Sequence, residues 1–430
     1  MKPISCLFFF FFLIGLHVHC DHLSGHHDDQ ENDGNSTEHQ HPPLAEEQGN
    51  KTTKCHKIAP SNADFAFTLY RQIASDGAGK NVFLSPLSIS TAFAMLSLGA
   101  KSETQTQIHK GLAFNLSEFE DKEIHEGFHH LIHMLNRPNN KAKVNIGNAL
   151  FIEESLKLQP KFLEDAKTLY DSEGFSSNFQ NTAVAEKQIN DYVENKTHGK
   201  ITHVVQNLDP NTLMVLVNYI FFKAFWENPF NTQSIREEDF FVNANTTVKV
   251  NMMFQRNYYK FLHDDNLNCS VVEIPYKGDA SALFILPDEG KMQHVEAGLV
   301  KEHLSKWEKT FKYAEVRLYI PKFSLSTSYD VKDLLQRLGV THVFGHDADL
   351  SGIVEEGKLV VTKAIHKAVV DVHETGTEAA AVTVMTMVGV SAFTSPPPVF
   401  RFNRPFLFLI CDKKTYSILF FGKVMNPTEK

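Results

Sequence analysis

Cysteine is scarce in this chain of 430 residues, with 5 in all. Cys6 and Cys20 belong to the leading apolar stretch, which leaves Cys55, Cys269 and Cys411. Three thiols cannot all pair internally, so the fold is no disulfide scaffold and must be held by packing. A dense Lys/Arg block is also missing. With 42 basic against 51 acidic residues and a net charge of -9, nucleic acid is not the main partner. Beyond the first residues, no apolar run free of charge approaches the ~20 residues that cross a bilayer. G-x-S-x-G elbows, phosphate loops and dinucleotide fingerprints are absent too, so no cofactor is implied and the common enzyme signatures fall away.

Among what is present, Lys2, the apolar run from Leu7 to Leu16 with phenylalanine at 8–12, and the small-residue pattern ending at Val18 and Cys20 read as a secretory signal over 1–20. An exported, soluble product is expected, with no membrane anchor. Asn35, Asn50, Asn115, Asn195, Asn245 and Asn268 each open an Asn-x-Ser/Thr sequon, which marks a glycoprotein. From 21 to about 57 the chain is acidic, amide-rich and His-rich, with almost nothing large and apolar to offset the entropy of ordering. It reads as a disordered tail. His22, His26, His27, His39 and His41 lie there with nothing to fix a metal geometry, so no metal is assigned to them.

With 42% hydrophobic residues, the remaining length can bury a large core but leaves the domain count open. Order is expected near Ser61, where Phe65, Phe67, Leu69, Tyr70 and Ile73 follow an Asn/Asp cap at helical spacing. Pro86 starts a second helix carrying Ile89, Phe93 and Leu96, and Phe162, Ala166, Leu169 and Tyr170 mark another. Strands dominate later. Leu213 to Trp226 is a continuous apolar run suited to a strand covered on both faces. Val271 to Leu286 reads as a hairpin turning at Gly278 and Asp279. Val316, Leu318 and Ile320 alternate along a half-buried strand, and segments 406–410 and 418–421 flank a polar turn as a C-terminal hairpin. The class is α+β.

Two constellations resemble active sites. His125, Glu126 and His129 spell H-E-x-x-H, with His133 a further turn on, the helical spacing of a zinc protease. Phe128, Leu131 and Leu135 already account for the helix as amphipathic, which places the histidines on the solvated side, and Ile132 stands where the extended motif needs Gly. Ser85 and His366 invite a triad but sit in apolar segments, so they read as buried packing polars.

The segment 374–404 is the odd one. A bend at Gly376 and the alanines at 379–381 lead into Val382, Thr383, Val384, Thr386, Val388 and Val390, which suit a strand, and Pro396, Pro397 and Pro398 close it. It reads as a strand without a partner. With NVFLSPLSIS, LVNYIFFKAFW, ILPDEGKM, LSGI, KAIHKA, ETGTEAAA, FNRPF and GKVMNP in order, the chain resembles the serpins, within them the antitrypsin-like plasma clade, from Ser61 to Pro427.

The resemblance implies one domain over about 58–430, with three β-sheets, about eight or nine helices and an exposed reactive-centre loop at about 374–398. Ser85, Ser88, Asn218 and His366 match the family's shutter. Glu374, Gly376, Thr377, Glu378, Ala379, Ala380 and Ala381 match its hinge, and 402–406 with Pro405 its distal anchor. The implied activity is suicide inhibition of a serine protease through a covalent complex, by a monomer that is not itself an enzyme. Family spacing sets the reactive bond at Val390–Ser391, with Met387 and Phe393 as alternatives, for an elastase-like or chymotrypsin-like target. The competing function in the same clade is transport of thyroid or steroid hormones, with Lys413 and Tyr416 in the corresponding pocket region. Lys301, Lys306, Lys309 and Lys312 form a basic stripe diluted by Glu302 and Glu308, and read as a solvated helix face.

Overall fold

The computed structural model describes residues 53–77, 79–137, 141–377 and 396–429. Among them are nine α-helices. Six lie in the first half: α1 (Lys54–Asp76), α2 (Pro86–Ser97), α3 (Ser102–Gly111), α4 (Asp121–Leu135), α5 (Pro160–Tyr170) and α6 (Thr182–Lys196). The shorter α7 (Met292–Gly298), α8 (Lys301–Thr310) and α9 (Val331–Arg337) follow. None is long and apolar enough to cross a membrane.

The first helix begins at Lys54, ahead of the cap expected near Ser61 and inside the segment read as tail. Cys55 and Ile58 are buried there among charged neighbours, and Pro60 is carried within the helix although it lacks a backbone donor. The other helices follow their patterns. Ser85 caps α2 by accepting from the Ser88 amide, Pro86 occupies the first turn, and the whole helix is buried.

Strands β1 (Val82–Leu84), β2 (Lys143–Glu153), β3 (Glu173–Ser177), β4 (Met214–Phe225), β5 (Arg236–Asn243), β6 (Thr246–Asp264), β7 (Cys269–Pro275) and β8 (Ala280–Pro287) precede β9 (Lys312–Pro321), β10 (Phe323–Asp330), β11 (Lys363–His373), β12 (Gly376–Thr377), β13 (Val399–Arg401), β14 (Phe406–Asp412) and β15 (Ser417–Val424). Six of them form one sheet in the order β10-β11-β12-β4-β2-β3. The others form a nine-stranded sheet, β1-β15-β14-β8-β7-β6-β9-β13, with β5 paired to β6. The long β6 pairs with β9 over Met252–Phe261 and with β7 over Lys260–Asp264, so the second and third sheets expected by resemblance are joined through one strand.

The two-faced burial expected of Leu213–Trp226 is realised in β4, whose residues 214–220 are all buried. A large core spans α1, α2 and the nine-stranded sheet, where Tyr70 stacks on Phe421 at 3.8 Å and Phe83 on Phe420 at 5.1 Å. A second cluster of Phe151, Phe179, Ile189, Val193 and Val217 packs α6 onto the opposite face of the six-stranded sheet.

Candidate functional site

The centre of the six-stranded sheet is organised by one polar rung. Asn148 on β2 lies in register with Asn218 on β4, and Asn218 lies in register with His366 on β11. All three are buried. Asn218 donates through Nδ2 to Asn148 Oδ1 at 2.6 Å and to the Ser88 carbonyl at 2.9 Å; its Oδ1 accepts from the Ser88 hydroxyl. The Ser85 backbone amide donates to His366 Nε2 at 3.0 Å. His366 must therefore carry its hydrogen on Nδ1, and it donates from there to Asn218 Oδ1 at 2.7 Å. Burial pushes the His366 pKa down to about 3, so the ring stays neutral.

This arrangement disposes of the triad reading. His366 accepts from the main chain of Ser85, while the Ser85 hydroxyl caps the Ser88 amide. No nucleophile faces a base, and Ser85, Ser88, Asn218 and His366 instead hold the N-terminus of α2 against two central strands. Asn148 is the member that sequence reasoning missed. An asparagine inside VNIGNALFI has no spacing signal, although its polarity in an apolar run was a clue.

Above that rung the sheet is parted. Parallel pairing of β11 with β4 runs from Lys363 with Val215 to Ala368 with Ile220 and stops. At the far end the two-residue β12 lies between them, antiparallel to both, with Thr377 opposite Val372 and Ala224. A small cavity lined by Ile220, Phe221, Phe222, Val369, Asp371 and Thr377 marks the gap beneath it.

Gly376 is required where the chain turns into the sheet. Its φ is +147°, and a Cβ would lie 2.6 Å from Phe225 Cα and closer still to the Ala224 carbonyl. The stub is well held. Glu374 pairs with Lys322 at 2.5 Å, the Trp226 amide donates to the Thr375 carbonyl at 3.0 Å, and the Trp226 indole donates to the His373 carbonyl at 2.9 Å. Thr377 is 2% exposed, and its hydroxyl meets Tyr276 Oη at 2.8 Å, with Tyr276 stacked on Trp226 at 4.2 Å. Lys322, Trp226 and Tyr276 were not singled out from sequence, since each contacts the hinge across more than fifty residues of chain.

Glu378, Ala379, Ala380, Ala381, Met387, Val390, Ser391 and Phe393 lie outside the described residues, as do Asn35 and Asn50. The chain returns at 396, and β13 runs parallel to β9 in the other sheet. Phe402 and Phe406 are fully buried, Arg401 pairs with Glu238 and lies 3.7 Å over the Tyr319 ring, and Pro398 accepts from the Arg317 amide. The two ends of the segment are thus fixed in different sheets.

Lys413 pairs with the buried Glu273, and Tyr416 is 68% exposed beside the His56 ring. A cavity of about 510 Å³ sits elsewhere, lined by Phe261, His263, Asp264, Lys306, Trp307 and Phe400, among others, but by neither Lys413 nor Tyr416. In the basic stripe, Lys301 pairs with Asp64 and Lys306 with Asp264. Asn115, Asn195 and Asn245 are exposed; Asn268 is half-buried in a turn with φ of +53°.

The H-E-x-x-H motif is split by its own helix. His129 and His133 on α4 are exposed, but His125 is buried, with Nδ1 at 2.5 Å from Tyr170 Oη, which corrects the expectation that all these histidines face solvent. Glu126 pairs with Lys54 at 3.0 Å, away from a catalytic role. The cause is Tyr170, which comes from α5 and gives the imidazole a buried partner.

A mixed sheet is parted above a polar rung, a glycine-hinged stub lies between the separated strands, and the chain is re-anchored in a second sheet. The family model described as serpin (serine protease inhibitor) matches residues 60–427, and the chain belongs to the serpin family. Alpha-1-antiproteinase of Callosciurus caniceps is 49% identical over 402 residues, covering 94% of each chain. Human alpha-1-antichymotrypsin is 47% identical over 91% of this chain and 94% of its own. Among solved structures, human thyroxine-binding globulin complexed with thyroxine is similar at a TM-score of 0.83 and 45% identity, over 87% of this chain and all of its own. Human glycosylated kallistatin gives 0.82 and 47%, over 88% of this chain.

Proposed function

We propose that the protein is a secreted, glycosylated inhibitor that traps an elastase-like or chymotrypsin-like serine protease by suicide loop insertion. The observation that carries this reading is the parted sheet with β12 at its mouth. The protease serine attacks the carbonyl of Val390, the Val390–Ser391 bond breaks, and the freed strand follows β12 inward while still esterified to the enzyme. Met387 and Phe393 are the alternative sites of attack.

The register of β12 sets what insertion demands. Continued inward, Ala379 falls between Val370 and Phe222, and Ala381 falls between Ala368 and Ile220. Both share the buried face of Thr377, where small side chains enter without overpacking. Glu378, on the other face, falls between Asp371 and Lys223. Two residues beyond Ala381, Thr383 falls between His366 and Asn218, so their hydrogen bond must open for the strand to pass. The shutter is then the last polar latch ahead of full insertion.

The second reading is a carrier of thyroid or steroid hormone, favoured by likeness to a globulin solved with thyroxine. Against it, the Lys413 charge is already matched by Glu273. Incubation with elastase, chymotrypsin and trypsin separates the two: an SDS-stable complex cut at Val390 is expected, and Ala381→Arg turns it into plain cleavage. Cleavage without complex across the panel, together with hormone quenching of Trp226 or Trp307 fluorescence, would establish the carrier instead.

A further inference from the structure

One buried cluster is used neither by the shutter nor by the hinge. His109 in the last turn of α3, Asp121 at the start of α4 and His125 one turn further along α4 converge on a single point. Both imidazoles are buried, at 2% and 5% exposure, while Asp121 opens toward solvent. Asp121 Oδ1 lies 3.4 Å from His109 Nε2 and 3.3 Å from His125 Nε2, and all three donor atoms are within 4.8 Å of one another. Donors about 2.0–2.1 Å from one tetrahedral zinc ion are themselves roughly 3.3 Å apart.

A second observation points into the same space. His125 Nε2 is buried and faces Asp121 Oδ1 at 3.3 Å outside good hydrogen-bond geometry, while its ring is fixed through Nδ1 on Tyr170. A buried ring nitrogen without a well-formed hydrogen bond is costly, and imidazole is a common ligand for transition ions. Among the described residues, His109 Nε2 is hydrogen-bonded to Ser97 Oγ at 3.0 Å, whose own hydrogen goes to the Ala94 carbonyl. Coordination therefore moves the His109 hydrogen to Nδ1 and leaves the charge of the ring unchanged.

We infer that His109, Asp121 and His125 form a binding site for a divalent transition ion, zinc by its ligand set, that clamps α3 to α4 with water in the fourth position. Two imidazoles disfavour calcium and magnesium. The site is structural. Glu126, the base that H-E-x-x-H chemistry needs, is held by Lys54, and His129 and His133 are exposed and outside the cluster. One member of the motif thus serves a metal with partners the motif does not name.

The test uses the full chain, wild type and the variants His109→Gln, Asp121→Asn and His129→Gln. Titration with zinc should raise the melting temperature to saturation at one equivalent, and cobalt should give a tetrahedral visible spectrum. His109→Gln and Asp121→Asn should weaken both by at least tenfold, and His129→Gln should change neither. Asp121 is half-exposed, so its variant folds even if the buried one does not. No stabilisation by zinc, or stabilisation that survives Asp121→Asn, or stabilisation lost in His129→Gln, overturns the assignment. Zinc taken up by the N-terminal histidines fails the same test, since it would be indifferent to Asp121.

Discussion

At Asn218 one side-chain amide joins β2, β11 and the N-terminus of α2, and every hydrogen-bonding group it has toward them is used. Its dependence on a neutral His366 gives the fold a pH signature. The folded pKa of about 3 lies below the ordinary histidine value of 6.5, so between them the unfolded chain binds the proton and the folded one does not. Stability from this group is complete above about pH 6.5 and declines as pH falls toward 3. The melting temperature of wild type should drop from pH 7 to pH 4, and His366→Gln should remove part of that drop. An equal drop in the variant would exclude His366 as a source. Ser85, Ser88, Asn218 and His366 were grouped from sequence by resemblance and are joined by hydrogen bonds, but Asn148 was not foreseen and His125 was misplaced. In both cases the deciding partner lies far away in the chain, Asn218 seventy residues on and Tyr170 forty-five, where local periodicity carries no information.

Among the elements, β12 is the shortest and the most constrained. It exists because Gly376 can adopt a positive φ against the Ala224 carbonyl and because Thr377 finds Tyr276. Gly376→Ala should strain the backbone and push the stub away, costing about 1–3 kcal/mol. Hydrogen exchange would register it at the Trp226 amide, which is bonded to the Thr375 carbonyl. Exchange and stability equal to wild type would mean that the stub is not seated as described. The longer elements were readable because their signals are local. The apolar run of β4, the β7–β8 hairpin with its Gly278 turn and the β14–β15 hairpin all stand as expected. The start of α1 was not readable, since Cys55 and Ile58 are single apolar residues in a polar stretch and only the core they meet makes them helical.

For the molecule as a whole, β11 and β4 are separated at one end with the two-residue β12 between them, and β12 and β13 lie in different sheets. On the inhibitory reading, the chain between them is the tethered strand that would complete the six-stranded sheet. Cutting the tether should let the strand enter. Each ladder hydrogen bond gained is worth about 1 kcal/mol net, so the melting temperature should rise by on the order of 10 °C or more after a single cut in the loop. Unchanged melting after complete cleavage would argue that the sheet cannot take the strand. Family resemblance supplied the architecture here, while the joining of two expected sheets through β6 was invisible, because nineteen alternating residues do not announce where their partners change.

The position of β14 and β15 has a consequence in time. These strands, the last of the described ones along the chain, lie inside the nine-stranded sheet, with β1 and β8 on either side. Phe421 is a surface on which Tyr70 and Phe67 of the first helix pack, and among the described strands β1 pairs with β15. Until β15 has been made, α1 can pack on α2 and α4 but lacks the Phe421 face that Tyr70 and Phe67 meet. The junction between the first described helix and the last described strand is therefore the part of this core that closes latest as the chain is made.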